Sequence, residues 1–205
     1  MCIRDSIRSI LAKPRLFSNK FGEQLRSGSA GGQNDEEYDY LKKHGWVVVD
    51  TMLTADPPEH TRYRKLAMKA FTYKRVLQMT EYVEELINQL IDELPESGKL
   101  EFKSGFANKL PMFVIADALG VPRTHFDKFE EWSNAFLLQL SGMGTKEQRL
   151  AATKSIVEFQ KYFVEVIEEK RANPTEDVIS DLVHADLSEE GDDRKMEYEL
   201  SLIHI

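Results

Sequence analysis

Apolar residues recur at intervals of three and four along most of the chain, so the sequence reads as a succession of helices. From Met79 onward, Tyr82, Val83, Leu86, Ile87, Leu90, Ile91 and Leu94 form one stripe, with Glu81, Glu84, Glu85 and Asp92 opposite. Pro95, Ser97 and Gly98 end that helix. The next helix, near Phe106 to Leu119, is apolar almost all round, which predicts a buried position; Gly120 and Pro122 stop it. A third runs from about Thr124 to Leu140 with Phe129, Trp132, Phe136, Leu137 and Leu140 inward, and turns at Gly142 and Gly144. Thr145 and Gln148 make a capping box for a long helix reaching about Arg171. Asn173-Pro174 breaks it, and a short helix carries Val178, Ile179, Leu182 and Val183. Trp46 to Val49 reads as a short strand or a buried loop edge, and Leu100-Glu101-Phe102 as a brief strand. Neither repeat nor domain linker interrupts the pattern. The expected fold is mainly α.

Composition narrows the class. With 205 residues, 41% of them hydrophobic, and 11 Phe, the chain has ample material for a core. Its 35 acids against 27 bases give a net charge of −8, a poor match for a dedicated nucleic-acid binder. No apolar run approaches the ~18 residues of a membrane span. The single Cys, Cys2, allows no internal disulfide, which favours a reducing, cytoplasmic setting. Residues 1–6 and 200–205 read as non-native flanks, leaving 7–199 as an internal piece of a longer protein. Ser27 to Asn34 has loop composition but is not a phosphate loop, since no Gly-Lys-Ser/Thr follows.

Candidate chemistry concentrates in Asp56-Pro57-Pro58-Glu59-His60-Thr61-Arg62-Tyr63-Arg64. Asp56 suits an N-cap and Pro57 the first helical position. On a wheel at ~100° per residue, Tyr63, Leu66, Ala67, Ala70 and Phe71 form an apolar stripe. His60 and Arg64, four apart, share one edge of it, while Arg62, Lys65 and Lys69 fall on the far, water-facing side. A half-buried Arg needs an anionic partner. A His one turn away adds a second donor, so the pair suits a bound carboxylate or phosphate. A structural ion pair beside a satisfied core His explains the same spacing, and spacing alone leaves both open.

The stretch Asp56 to Val76, DPPEHTRYRKLAMKAFTYKRV, closely resembles the C-helix segment of bacterial cytochrome P-450 monooxygenases. Arg15 to Asn19, Leu110 to Pro122 and Val178 to Val183 resemble other segments of that family in the family's order, covering Ile7 to Glu199. The resemblance implies the N-terminal portion of the cytochrome P-450 fold, up to near the start of its long central helix. It implies haem b as cofactor, with His60 and Arg64 donating to the propionates. The family's axial Cys, its oxygen-activating acid-alcohol pair and its Glu-x-x-Arg pair would all lie downstream, so no metal ligand and no catalytic residue is expected here. The 205 residues alone are then expected to be inactive. The implied parent inserts one atom of O2 into an apolar substrate, with electrons from a ferredoxin or flavodoxin-type donor. By the same resemblance Val47, Val48, Met52 and Leu53 border the substrate pocket, as does the turn around Leu140 to Thr145. Arg62, Lys65 and Lys69 would form the redox-partner surface.

Other chemistries find little support. The five His are scattered without metal-ligand spacing, and no GxSxG motif occurs. The competing class is a non-enzymatic helical protein that binds a partner or regulates one through the same amphipathic helices.

Overall fold

The computed structural model describes residues 3–18, 20, 35–47 and 51–185. Among them lie eight α-helices and no strand: α1 (Ile3–Leu11), α2 (Asp35–His44), α3 (Glu59–Ala70), α4 (Tyr73–Asp92), α5 (Lys109–Ala118), α6 (Phe126–Ser141), α7 (Lys146–Ala172) and α8 (Val178–Val183). A π-helical turn, Lys103–Ala107, precedes α5, and a 3₁₀ turn, Arg123–His125, precedes α6. The fold is mainly α.

The longest helix, α7, is the spine. Thr145 accepts from the Gln148 backbone N–H while the Gln148 side chain accepts from the Thr145 N–H, completing the capping box. Gly142 (φ 62°) and Gly144 (φ 100°) take left-handed conformations that reverse the chain between α6 and α7. These two helices pack along each other. Their contact holds Phe129, Trp132, Phe159, Tyr162 and Phe163, with Phe129 and Phe163 edge-on at 5.8 Å. Leu66 and Ala70 of α3, Ile167 of α7, and Val178, Ile179 and Leu182 of α8 extend the same core.

The join between α7 and α8 is a buried polar knot. Asp177 caps α8 by accepting from the Ser180 N–H at 2.8 Å, and its other oxygen lies 2.7 Å from Lys170 Nζ. Burial raises the Asp177 pKa, but hydrogen bonds from Lys170, the Ser180 backbone and Thr175 outweigh that and hold it below its ordinary value. Gly120 (φ 71°) passes so close that a Cβ there would stand 2.4 Å from Asp177 Oδ2. No other residue type fits that approach.

Several expectations change. The helix predicted from Met79 starts at Tyr73, because Thr72 caps it by accepting from the Arg75 N–H. In α6 the buried positions are Phe126, Phe129, Trp132 and Ala135, a face set by α7. Leu137 and Leu140 are exposed, and Phe136 sits at the boundary. In α5 only Ala116 is fully buried and Ile115 is exposed, since this helix is covered on one side. Leu100 to Phe102 is not a strand; Glu101 turns the chain by accepting from the Ser104 N–H and hydroxyl. Trp46 and Val47 lie in a half-buried loop edge. Val48 and Val49, the loop from Ser27 to Asn34, the charged run from Ser188 to Arg194 and the residues 200–205 lie outside the described residues.

Candidate functional site

The approach to α3 is a tight turn. Thr51 and Thr54 exchange bonds, with the Thr51 N–H donating to Thr54 Oγ1 at 2.9 Å and the Thr54 N–H donating to the Thr51 carbonyl at 3.0 Å. Thr54 and Ala55 are buried, and Leu53 projects at the apex, 72% exposed. Asp56 is not the N-cap: α3 begins at Glu59 with Pro58 at the cap position, and the Asp56 carboxylate accepts from the Ser18 hydroxyl instead. The Asp56 carbonyl still accepts from the His60 N–H, so the helical turn is continuous with the Pro-Pro entry.

The C-terminal end of α3 is tied down as well. Arg75 Nη1 donates to the Ala70 carbonyl at 2.9 Å and pairs with Asp181 of α8. This link satisfies one of the orphan carbonyls at the helix end with a charged donor. Both ends of α3 are therefore anchored before any ligand is considered.

The buried face of α3 consists of Arg62, Tyr63, Leu66 and Ala70. This corrects the wheel in three places. Arg62, expected in water and on the redox-partner surface, is 6% exposed, with its guanidinium 5.9 Å from the Tyr63 ring centroid and further partners in the fold. Arg64, expected beside the core, is exposed. The physical reason is that the burial arc is centred between Arg62 and Tyr63. An apolar count cannot find that edge, because an Arg stem buries as hydrocarbon while its head finds partners. Phe71, assigned to the stripe, lies past the helix end and is exposed. The half-buried Arg that required a partner is thus Arg62, and the structural explanation holds for it.

His60 is half-buried and Arg64 exposed, one turn apart. Among the described residues, no hydrogen bond or ion pair engages either side chain. Two donors stand on a fixed helix with their hydrogen-bonding capacity unspent, which suits a carboxylate-bearing ligand. Lys65 and Lys69 are exposed and have partners within the fold. Of the expected pocket residues, Val47 and Met52 are half-buried, Leu53 is exposed, and Val48 is outside the described residues. At the end of α6 Leu140 is exposed, as is Met143 in the turn that follows. No group of three His, Cys, Asp or Glu that could hold a metal occurs among the described residues. No described helix is long and apolar enough to cross a membrane.

One polar residue escaped the sequence reading. Gln160 of α7, 5% exposed, grips the Trp46 backbone at both atoms: its Oε1 accepts from the Trp46 N–H at 3.0 Å and its Nε2 donates to the Trp46 carbonyl at 2.8 Å. The available signal was a lone amide on the stripe Ile156, Gln160, Phe163 and Ile167.

A mainly α fold carrying His60 and Arg64 one turn apart on an anchored helix is what these observations define. No family model matches the chain. Among curated proteins, it is 34% identical over 139 residues to the polyketide biosynthesis cytochrome P450 PksS of Bacillus subtilis, covering 68% of this chain and 33% of that protein. It is 30% identical over 200 residues to cytochrome P450 CYP107DY1 of Priestia megaterium, covering 96% of this chain and 46% of that one. Among solved structures, the LnmZ cytochrome P450 hydroxylase of Streptomyces atroolivaceus matches with a TM-score of 0.64 at 30% identity, over 77% of this chain and 41% of that chain. The chain belongs to the cytochrome P-450 family and spans less than half the length of these relatives. Haem is the family's cofactor.

Proposed function

We propose that the chain is the propionate-binding portion of a haem-dependent monooxygenase, whose axial Cys is supplied by another part of the protein. The carrying observation is the pair His60 and Arg64, unengaged by any described residue, on a helix whose two ends are anchored elsewhere. His60 and Arg64 would hold the two carboxylates of haem b by charge-assisted hydrogen bonds. Haem, when bound, supplies the O2 activation and electron-transfer chemistry. The contribution of this chain is orientation: α3 is fixed by Arg62 inside the core and by Arg75 at its C-terminal end, so the backbone that carries the donors needs little reordering on binding. In isolation the 205 residues would not catalyse oxygenation.

The substrate is proposed to be apolar, facing Val47, Met52 and Leu53, with Val48 in the same segment. Relatives are named for polyketide biosynthesis and for hydroxylation of mycinamicin IV and 6-deoxyerythronolide B, which favours a polyketide-like class. The exposed Lys65 and Lys69 would steer an acidic ferredoxin or flavodoxin-type donor towards α3, in a cytoplasmic protein. The test is expression of the complete reading frame. The expected product binds haem and shows a thiolate-type Soret band when reduced under carbon monoxide. A product that stays colourless with added haem ends the reading.

A further inference from the structure

We propose that Gln160 is a positioning residue for the substrate side of the haem pocket, an inference that rests on the functional reading above. The observation is the two-point grip on Trp46. Its N–H and carbonyl are both held by one side-chain amide, as a neighbouring strand would hold them, across 114 residues of sequence. Gln160 is itself buried among Ile156, Val157 and Phe163 of α7, and it meets Trp46 at a half-buried loop edge.

Gly45 makes the approach possible. A Cβ at Gly45 would lie 2.4 Å from Gln160 Oε1 and 2.9 Å from Val157 Cγ2. The chain leaves α2 pressed against α7, where Arg149 pairs with Glu37 and Lys146 with Glu36. Those ion pairs act on α2 itself. The grip is placed one step later, on the residue that precedes Val47, the first of the proposed substrate-facing side chains. The bonds of Gln160 fall outside α2, on the segment that leads to Val47. What the grip determines is where Val47 stands relative to α7.

The inferred consequence is a separation of roles: His60 and Arg64 set haem retention, and Gln160 sets the fit of bulky apolar ligands without touching them. The experiment uses the haem-loaded product of the complete reading frame, with Gln160→Leu, Gln160→Glu and Gly45→Ala. Two azole probes are titrated by absorbance: imidazole, too small to reach the pocket walls, and clotrimazole, bulky and apolar. Hydrogen exchange at the Trp46 amide reads the grip directly. Gln160→Leu is expected to speed that exchange and to change the ratio of the two dissociation constants at least about fivefold, the equivalent of one lost hydrogen bond. Haem content and the imidazole constant should stay at wild-type values. Gly45→Ala should reproduce the effect, and Gln160→Glu, which keeps only the acceptor, should fall between. A haem-loaded variant with an unchanged ratio overturns the role of Gln160 alone. A wild-type protein that takes up no haem overturns the functional reading, and this role with it.

Discussion

Arg62 and Arg64 stand two residues apart on α3 and face opposite surroundings, Arg62 packed with Tyr63 in the core and Arg64 exposed, with no partner among the described residues. Their substitutions should therefore fail in different ways. Arg62→Ala is expected to lower folding stability by on the order of 1–3 kcal/mol, because it strands the groups that the guanidinium serves. Arg64→Ala should change stability by about 0.5 kcal/mol or less, yet weaken haem retention by roughly 1.5–3 kcal/mol through loss of a charge-assisted bond. Urea unfolding and haem-transfer rates separate the two. Equal haem loss at unchanged stability in both variants would refute the assignment.

Gly120→Ala tests the knot at α8. The positive φ costs an L-residue roughly 1–2 kcal/mol, and the new methyl would also displace the Asp177 carboxylate from its cap. A loss of about 2 kcal/mol or more is expected in thermal unfolding, with α8 the first element to lose hydrogen-exchange protection.

The Asp177 carboxyl gives a pH dependence of definite sign. Its folded pKa lies below the ordinary 3.8, so the unfolded chain binds its proton first as pH falls. The stabilisation is present above about pH 4 and drains away as acid approaches the lower folded value. Asp177→Asn should thus be less stable than wild type at neutral pH, with the gap narrowing below about pH 4. A gap that stays constant down to pH 2 would show that the carboxylate charge plays no part.

The contact between α6 and α7 is open to a paired test. Phe163→Ala, on α7, removes a fully buried ring from the contact with Phe129 of α6 and should cost about 3–5 kcal/mol. Leu137→Ser, on the side first assigned to the core, should cost under about 0.5 kcal/mol. Comparable losses at the two sites would restore the original assignment.

Reversing charge at Lys65 and Lys69 to Glu should slow reduction of the complete protein by an acidic electron donor. The wild-type rate should fall as salt is raised, and the variant should lose that dependence. Binding of an apolar ligand should be unchanged. Identical reduction rates at every ionic strength would remove these lysines from the docking surface.

Much of this molecule is local and therefore legible in the sequence. The capping box at Thr145 and Gln148, the glycine turn before α7 and the Asn173-Pro174 break all depend on neighbours within a few residues, and each is found where it was expected. The stretch from Asp56 to Arg64 is likewise visible as unusual before any fold is known. Tertiary structure decided which face of each helix counts. Leu137 is outside and Arg62 inside because α7 and α8 approach from particular directions, and an amphipathic period sets the width of a stripe but not its exact edge. It also decided the partnerships Gln160 with Trp46, Arg75 with Asp181 and Gly120 with Asp177. Each joins atoms dozens of residues apart, and a polar group's partner across such a distance is chosen by helix packing, which no local pattern encodes.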